Sequence, residues 1–240
     1  MNLLKLSPEQ KYIRRRIIEI SYEKNFSHLG SNLTAADIIY AIYKTKDKDE
    51  KVILSNGHAG LALYVILEKK GLINGPIIKN LCIHPDRDPD TRIDLSTGSL
   101  GHGLPIALGM ALADRRKNVY CSSSDGEFAE GSIWEALRVG IDQKISNLKI
   151  VINANGWGAY GPISLPLLRN RIRGFGYKVI IVNGHDINEL CAALAKKIPN
   201  QPVMIIAQTK VEQFPFLKGQ DAHYYVMKAE DYKLAMDILK

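Results

Sequence analysis

The chain of 240 residues is long enough for one large α/β domain with a well-filled core. Hydrophobic residues make up 46% of it and charged residues 24%, proportions near the globular average, which excludes wholesale disorder. The net charge of +7 comes from scattered lysines and arginines without an accompanying nucleic acid-binding motif. Nucleic acid is therefore the weakest candidate partner, and anionic small molecules or an acidic protein fit the charge better.

Other features bear on the compartment of the protein. No apolar run is long enough to span a bilayer, and the segment from Met1 to Pro8 lacks the pattern of a secretory signal. The three cysteines Cys82, Cys121 and Cys191 are odd in number and widely spaced, which favours reduced thiols over disulfides or a zinc site. We expect a cytoplasmic protein that does not enter a membrane.

The first predicted elements are two helices and a strand. Ser7 is a suitable N-cap for a helix that carries isoleucines at helical spacing to about Asn25, and Thr34 is the expected cap of a second helix. A strand over Val52 to Leu54 precedes a third helix. Residues 71 to 97 are rich in glycine, proline and charge, so we predict an irregular connection, and connections of this length are often functional.

From residue 98 onward the pattern alternates between helices and apolar strands. The predicted strands are Val119 to Ser123, Leu148 to Asn153, Lys178 to Val182 and Val203 to Gln208, and the predicted helices are Leu104 to Arg116, Ser132 to Gln143, 165 to 174 and Ile187 to Lys197. Such alternation predicts an α/β fold, a parallel sheet with helices on both faces, in a single domain over residues 1–240. Ligands in such sheets bind beyond the carboxyl ends of the strands.

Two polar side chains follow consecutive predicted strands at that edge. Asp125 comes just after one strand and Asn155 just after the next, so both face the same end of the sheet if the strands are neighbours. A carboxylate and an amide oxygen form a hard-oxygen site for Mg²⁺ or Ca²⁺, which the phosphates of a ligand would complete. Gly126 would let the backbone approach a diphosphate closely, although an isolated Asp-Gly after a strand is usually only a turn.

A glycine-rich stretch over residues 97 to 103 opens a predicted helix. Free amide groups at a helix N-terminus favour anions, which again suits a diphosphate. Glycine clusters are often simple tight turns, so this stretch indicates a diphosphate site only in combination with other motifs.

The ordered set of motifs resembles the transketolase family in its split-subunit form. The matching stretches are His28-Leu29-Gly30-Ser31, Leu54-Ser55-Asn56-Gly57-His58, His84-Pro85, Ser96 to Gly103, Ser124-Asp125-Gly126-Glu127, Glu130 to Ala136, Asn155, and Gly184-His185-Asp186. Each is weak by itself, but together they cover roughly residues 25 to 190 in the order of the family.

The resemblance implies a thiamine diphosphate-binding fold that uses thiamine diphosphate and a divalent metal, Mg²⁺ or Ca²⁺. The implied metal ligands are Asp125, Asn155 and the backbone carbonyl of Trp157. The implied cofactor-binding residues are His58, Gly98, Ser99, Leu100, Gly126, Glu130 and Asn155. The implied catalytic residues are His28, His58 and His84, and His223 corresponds loosely to a late histidine on the substrate side. Histidines titrate near neutrality, so several that converge on a polyhydroxy substrate can shuttle protons.

The sequence also departs from the family. Ser124 stands in place of a glycine, and Thr209 to Phe214 replaces a Lys-Gly-x-Gly loop. A complete transketolase needs two further domains, including the pyrimidine-binding domain with its activating glutamate, and 240 residues cannot hold them. The resemblance thus implies a C-terminal partner subunit, sugar phosphate substrates and an α₂β₂ assembly, with this chain inactive alone.

The expected reaction is transfer of a two-carbon ketol unit from a ketose, or its phosphate, to an aldose. One alternative is the α subunit of a 2-oxo acid dehydrogenase-type enzyme, a class that shares the metal motif but generally lacks the three histidines. The other alternative is a degenerate, non-catalytic scaffold subunit. The intact Asp125, Asn155 and His58 argue against the scaffold, and the altered loop after residue 208 argues weakly for it.

Overall fold

The computed structural model describes residues 4–78 and 80–240. The helices in these ranges are α1 (Pro8–Lys24), α2 (Leu29–Thr45), α3 (Gly60–Lys69), α4 (Gly75–Ile78), α5 (Gly103–Ala113), α6 (Gly131–Asp142), α7 (Leu165–Gly174), α8 (Ile187–Leu194) and α9 (Ala229–Ile238). The strands are β1 (Lys51–Leu54), β2 (Val119–Ser124), β3 (Leu148–Ala154), β4 (Trp157–Gly158), β5 (Gly161–Pro162), β6 (Val179–Asn183) and β7 (Val203–Gln208). Short 3₁₀ turns lie at Gly57–Ala59, Asp125–Ala129 and Gly219–His223.

The main sheet has the order β1-β2-β3-β7-β6, and all of its strands are parallel. The predicted parallel sheet with helices on both faces is confirmed. β2 and β3 are direct neighbours, and Ser124 lies opposite Asn153 in the register. Since parallel strands end at the same edge, the segments that follow β1, β2 and β3 meet there.

Each central strand is buried on both faces, as its continuous apolar sequence predicts. Side chains alternate between the two faces: Ile150 and Ile152 of β3 pack in the core beneath α5, α6 and α7, whereas Val151 packs in the core beneath α2 and α8. A further apolar cluster joins α1, α2, α3 and α9. The sheet edge is thereby held rigidly between two helical layers.

The predicted start of the second helix is wrong. The helix begins at Leu29, and its N-cap is His28, which has a left-handed backbone with φ of 62°. Thr34 lies inside the helix, fully buried, where its hydroxyl donates to the Ser31 carbonyl at 3.0 Å and accepts from Asn153 Nδ2 at 2.9 Å. The threonine therefore ties α2 to β3 instead of capping a helix.

The structure also differs from the prediction in the lengths of some elements, and it contains elements that were not predicted. The helix after β6 ends at Leu194, short of Lys197, and the connection from 71 to 97 contains the four-residue α4. The β4–β5 hairpin and α9 were not predicted. Within the part of the chain that the structure describes, no helix is both long and apolar enough to cross a membrane.

Candidate functional site

Asp125 and Asn155 meet beyond the ends of β2 and β3, as their positions predict. Asp125 is 1% exposed, its Oδ1 accepts the Gly126 N–H at 3.0 Å, and its Oδ2 accepts the Gly156 N–H at 2.7 Å. Asn155 Oδ1 accepts the Trp157 N–H at 2.9 Å. Burial raises the pKa of Asp125 to about 7, because removal of solvent disfavours the charged carboxylate.

The hairpin that follows Asn155 closes over this loop. A Cβ added to Gly126 would lie 3.4 Å from Gly158 Cα and 3.8 Å from the Trp157 carbonyl oxygen, which brings that oxygen to the Asp125 loop. Among the described residues no group of three or more His, Cys, Asp or Glu side chains could hold a metal. A cation here would accordingly take one carboxylate, one amide, one carbonyl and ligand oxygens, which is a set typical of Mg²⁺.

The glycine-rich turn lies against the loop after β1. A Cβ on Gly57 would come within 2.6 Å of the Gly98 nitrogen, and one on Gly98 would lie 3.2 Å from the ring of His84. Gly101 has φ of +82°, and a Cβ there would lie 2.6 Å from Glu130 Cβ. These positions require glycine because other backbones or side chains approach so closely.

The remaining predicted cofactor residues lie around this turn. Ser99 is exposed, whereas Leu100 and Glu130 are half-buried, and Glu130 is the N-cap residue of α6. Glu135, on the same helix, faces solvent and pairs with Arg138 at 3.1 Å. The structure thus brings together the Asp125 loop, the glycine-rich turn and the start of α6.

Glu127 is a buried residue of the site to which sequence reasoning gave no role. It is fully buried; Oε1 accepts from the Ser55 hydroxyl at 2.6 Å and the Gly101 N–H at 3.1 Å. Oε2 accepts from the Ser123 hydroxyl at 2.9 Å and the Ser124 N–H at 3.0 Å. The carboxylate therefore ties three loops of the site together. The Ser-x-x-Glu spacing of a capping box, Ser124 to Glu127, was the available signal.

Glu127→Gln should lower the free energy of unfolding by about 1–3 kcal/mol. Each carboxylate oxygen accepts a backbone N–H, so the amide group of glutamine would face one N–H donor in either orientation. Urea denaturation measures the change, with Glu9→Gln on the exposed start of α1 as the matched control. Equal stability of the two variants would contradict the role of Glu127.

Four histidine rings converge beside the glycine-rich turn. The ring of His28 lies 5.6 Å from that of His58, 6.0 Å from that of His84 and 4.5 Å from that of His223, centroid to centroid. The rings of His58 and His223 are 5.0 Å apart. Asn32 holds the arrangement, since its Nδ2 donates to the carbonyls of His28 and His58 at 2.9 and 3.2 Å. The loosely aligned His223 thus joins the three predicted catalytic histidines.

Burial favours the neutral form of three of these histidines, His28, His58 and His223. Burial, with the nearby histidines, lowers the pKa of His28 to about 4 and that of His58 to about 3, and burial also lowers the pKa of His223. His28 Nδ1 is buried and has no hydrogen-bond partner within the described residues, as is also true of Asn56 Nδ2 and Thr97 Oγ1. Buried polar atoms without partners indicate that a ligand completes the site.

The low pKa of His58 predicts a dependence of stability on pH. In the unfolded chain His58 is protonated below its ordinary pKa of 6.5, whereas in the folded chain it stays neutral down to about pH 3. The free energy of unfolding therefore falls as the pH falls from 6.5 to about 3. His58→Asn should shrink the loss of stability between pH 7 and pH 5 by about 2 kcal/mol. Urea denaturation at both pH values tests this, and an unchanged loss would show that His58 is not held neutral.

Taken together, the polar groups of this cleft fit a diphosphate that is bound to a metal ion. The cleft offers a hard-oxygen set at Asp125 and Asn155, close backbone approach at the glycine-rich turn, and buried polar atoms without partners.

Comparison with known proteins agrees with this geometry. Residues 9–239 match the family described as "Transketolase, thiamine diphosphate binding domain". The chain belongs to the transketolase family. A protein from Phocaeicola vulgatus, named as one subunit of apulose-4-phosphate transketolase, is 31% identical over 93% of this chain and 89% of its own length. Transketolase-like protein 2 from Bos taurus is 37% identical over 82% of this chain but only 36% of its own length.

Solved transketolase structures share the fold. The enzyme from Campylobacter jejuni superposes with a TM-score of 0.84 at 26% identity, covering 100% of this chain and 43% of that one. A variant from Pichia stipitis gives 0.85 at 22% identity, covering 97% of this chain and 41% of that one. The chain spans less than half of these longer relatives but most of the Phocaeicola protein. The predicted thiamine diphosphate-binding fold and the predicted transketolase N-terminal subunit are confirmed, and the 2-oxo acid dehydrogenase and scaffold alternatives are not favoured.

Proposed function

We propose that this chain binds thiamine diphosphate with Mg²⁺ or Ca²⁺ and, with a C-terminal partner, transfers a two-carbon ketol unit from a ketose phosphate to an aldose. The observation that carries the proposal is the convergence of His28, His58, His84 and His223 next to the glycine-rich turn and the Asp125 loop. Family membership supports the cofactor, and the donor set supports the metal.

In this proposal, cofactor binding is divided among three segments. Asp125, Asn155 and the Trp157 carbonyl hold the metal, while the backbone at 98–100 and at Gly126 approaches the diphosphate. The bound cofactor supplies the electron sink that ketol transfer requires. Glu127 acts through the loops that it holds, since it has no exposed surface of its own.

The histidines orient the sugar and move protons. A neutral imidazole accepts a proton from a hydroxyl or donates a hydrogen bond to a carbonyl, and the low pKa values of His28 and His58 keep both rings neutral at pH 7. His28 is only half-buried, so a substrate hydroxyl can reach its side chain. The ring of His58 lies 5.6 Å from that of His28, and the preceding residue, Gly57, lies against Gly98 of the glycine-rich turn.

The partner is proposed to carry the pyrimidine-binding domain and to form an α₂β₂ complex with this chain. The support is that a relative named as a subunit matches over 89% of its length, whereas single-chain relatives are much longer. We retain the cytoplasm as the expected compartment.

A comparison of donors tests the proposed reaction. The complex with its C-terminal subunit, loaded with thiamine diphosphate and Mg²⁺, should consume a ketose phosphate in the presence of an aldose phosphate and should not turn over a 2-oxo acid. This chain by itself should be inactive with either donor. Turnover of the 2-oxo acid alone, or ketol transfer without the second subunit, would contradict the proposal.

A further inference from the structure

One aromatic ring at the histidine cluster is open to solvent. Tyr224 follows His223 directly and is 61% exposed. The centroid of its ring lies 4.8 Å from that of His223 and 6.1 Å from that of His28. Its hydroxyl makes no hydrogen bond with any described residue. An isolated exposed tyrosine is ordinary on a protein surface, so it is the position of this one that requires an explanation.

The backbone around Tyr224 is fixed on both sides. The His28 N–H donates to the His223 carbonyl at 2.8 Å, and the Tyr224 N–H donates to the Asp221 carbonyl at 3.1 Å. On the other side, the Tyr225 hydroxyl donates to Asp231 Oδ2 at 2.7 Å, and its ring stacks on Phe216 with centroids 5.5 Å apart. Tyr225 thus anchors the segment, while the neighbouring ring stays on the open side of the cluster.

The position of the Tyr224 ring bears on how many carbons a sugar substrate can have. If the reacting carbonyl lies among the histidines, the remaining carbons must extend from them toward solvent, past the ring that covers the sides of His28 and His223. A rigid phenol ring there takes up room and offers a flat apolar face to C–H groups. A longer sugar would therefore reach this ring, whereas a shorter one would end before it.

We propose that Tyr224 is a specificity-determining residue that limits the length of the sugar chain and so favours short aldose acceptors. The inference rests on the proposed ketol transfer. Its chemical basis is steric: a side chain that occupies the space beside the substrate disfavours longer substrates. One methylene group in a hydrophobic pocket is worth about 10-fold to 200-fold in kcat/KM.

The test uses the complete complex with its C-terminal subunit, thiamine diphosphate and Mg²⁺. The quantity measured is the ratio of kcat/KM for a five-carbon aldose phosphate to that for a three-carbon aldose phosphate. Tyr224→Ala should raise this ratio about 10-fold, and Tyr224→Trp, which enlarges the wall, should lower it. Tyr224→Phe keeps the ring and should leave the ratio within about twofold of wild type.

Tyr12→Ala is the matched control, because Tyr12 is another exposed tyrosine (47%) and lies on α1. An active wild-type complex whose ratio is unchanged by both Tyr224→Ala and Tyr224→Trp would overturn the inference and leave the proposed function intact. Absence of ketol transfer by the wild-type complex with any acceptor would overturn both.

Discussion

Asp125→Asn should weaken binding of thiamine diphosphate in the presence of Mg²⁺ by about 100-fold or more. Removal of an outer partner of a metal ligand typically costs 10-fold to 100-fold, and loss of the charged ligand itself should cost at least as much. Both carboxylate oxygens also accept backbone N–H groups, so the new amide disturbs the loop as well. Calorimetry on the complex with the C-terminal subunit measures the effect.

The matched control for this prediction is Asp114→Asn. Asp114 lies just after α5 at the surface and pairs with Arg116 at 2.9 Å. This variant should bind the cofactor as wild type does. If Asp125→Asn also binds with unchanged affinity, the metal assignment is wrong.

His28→Asn should lower kcat for ketol transfer by about 100-fold to 10,000-fold while it leaves cofactor affinity nearly unchanged. Asparagine tolerates the left-handed backbone that His28 adopts at φ of 62°, so the start of α2 should remain intact. Asparagine cannot take up and release protons near neutral pH as an imidazole does, so the proton transfer proposed for His28 is lost. Steady-state kinetics gives kcat, and calorimetry of the same variant shows whether the cofactor still binds.

An unchanged kcat in His28→Asn would show that His28 takes no part in the proton transfer. A loss of kcat that is accompanied by an equal loss of cofactor affinity would instead give His28 a structural role at the start of α2.

The sheet and the position of the Asp125 loop could be predicted from the sequence because local patterns determine them. Strands such as Leu148 to Ala154 are continuously apolar, which marks burial on both faces. Since neighbouring parallel strands end at one edge, the positions of Asp125 and Asn155 in the chain were enough to place them together.

The histidine cluster depends on contacts between distant parts of the chain, which no local pattern encodes. His28 and His223 are joined by a backbone hydrogen bond across nearly the whole sequence, and the alignment in that region was loose. The beginning of α2 was predicted wrongly for a related reason: Thr34 is a good local cap, but its hydroxyl is used across the core by Asn153.

Tyr224 and Glu127 illustrate two kinds of missed residue. The capping-box spacing of Glu127 was visible, yet its four donors come from the loop after β1, the glycine-rich turn and the end of β2, and only the fold assembles them. The sequence around Tyr224 gave no signal, because the role proposed for that ring depends on which rings surround it.

Calorimetry of thiamine diphosphate on the purified complex of this chain with its C-terminal subunit tests the proposed function most directly. We expect saturable binding of one cofactor per copy of this chain, dependent on Mg²⁺ and abolished when EDTA removes the metal. Absence of binding in the intact complex at saturating Mg²⁺ would contradict the proposed function.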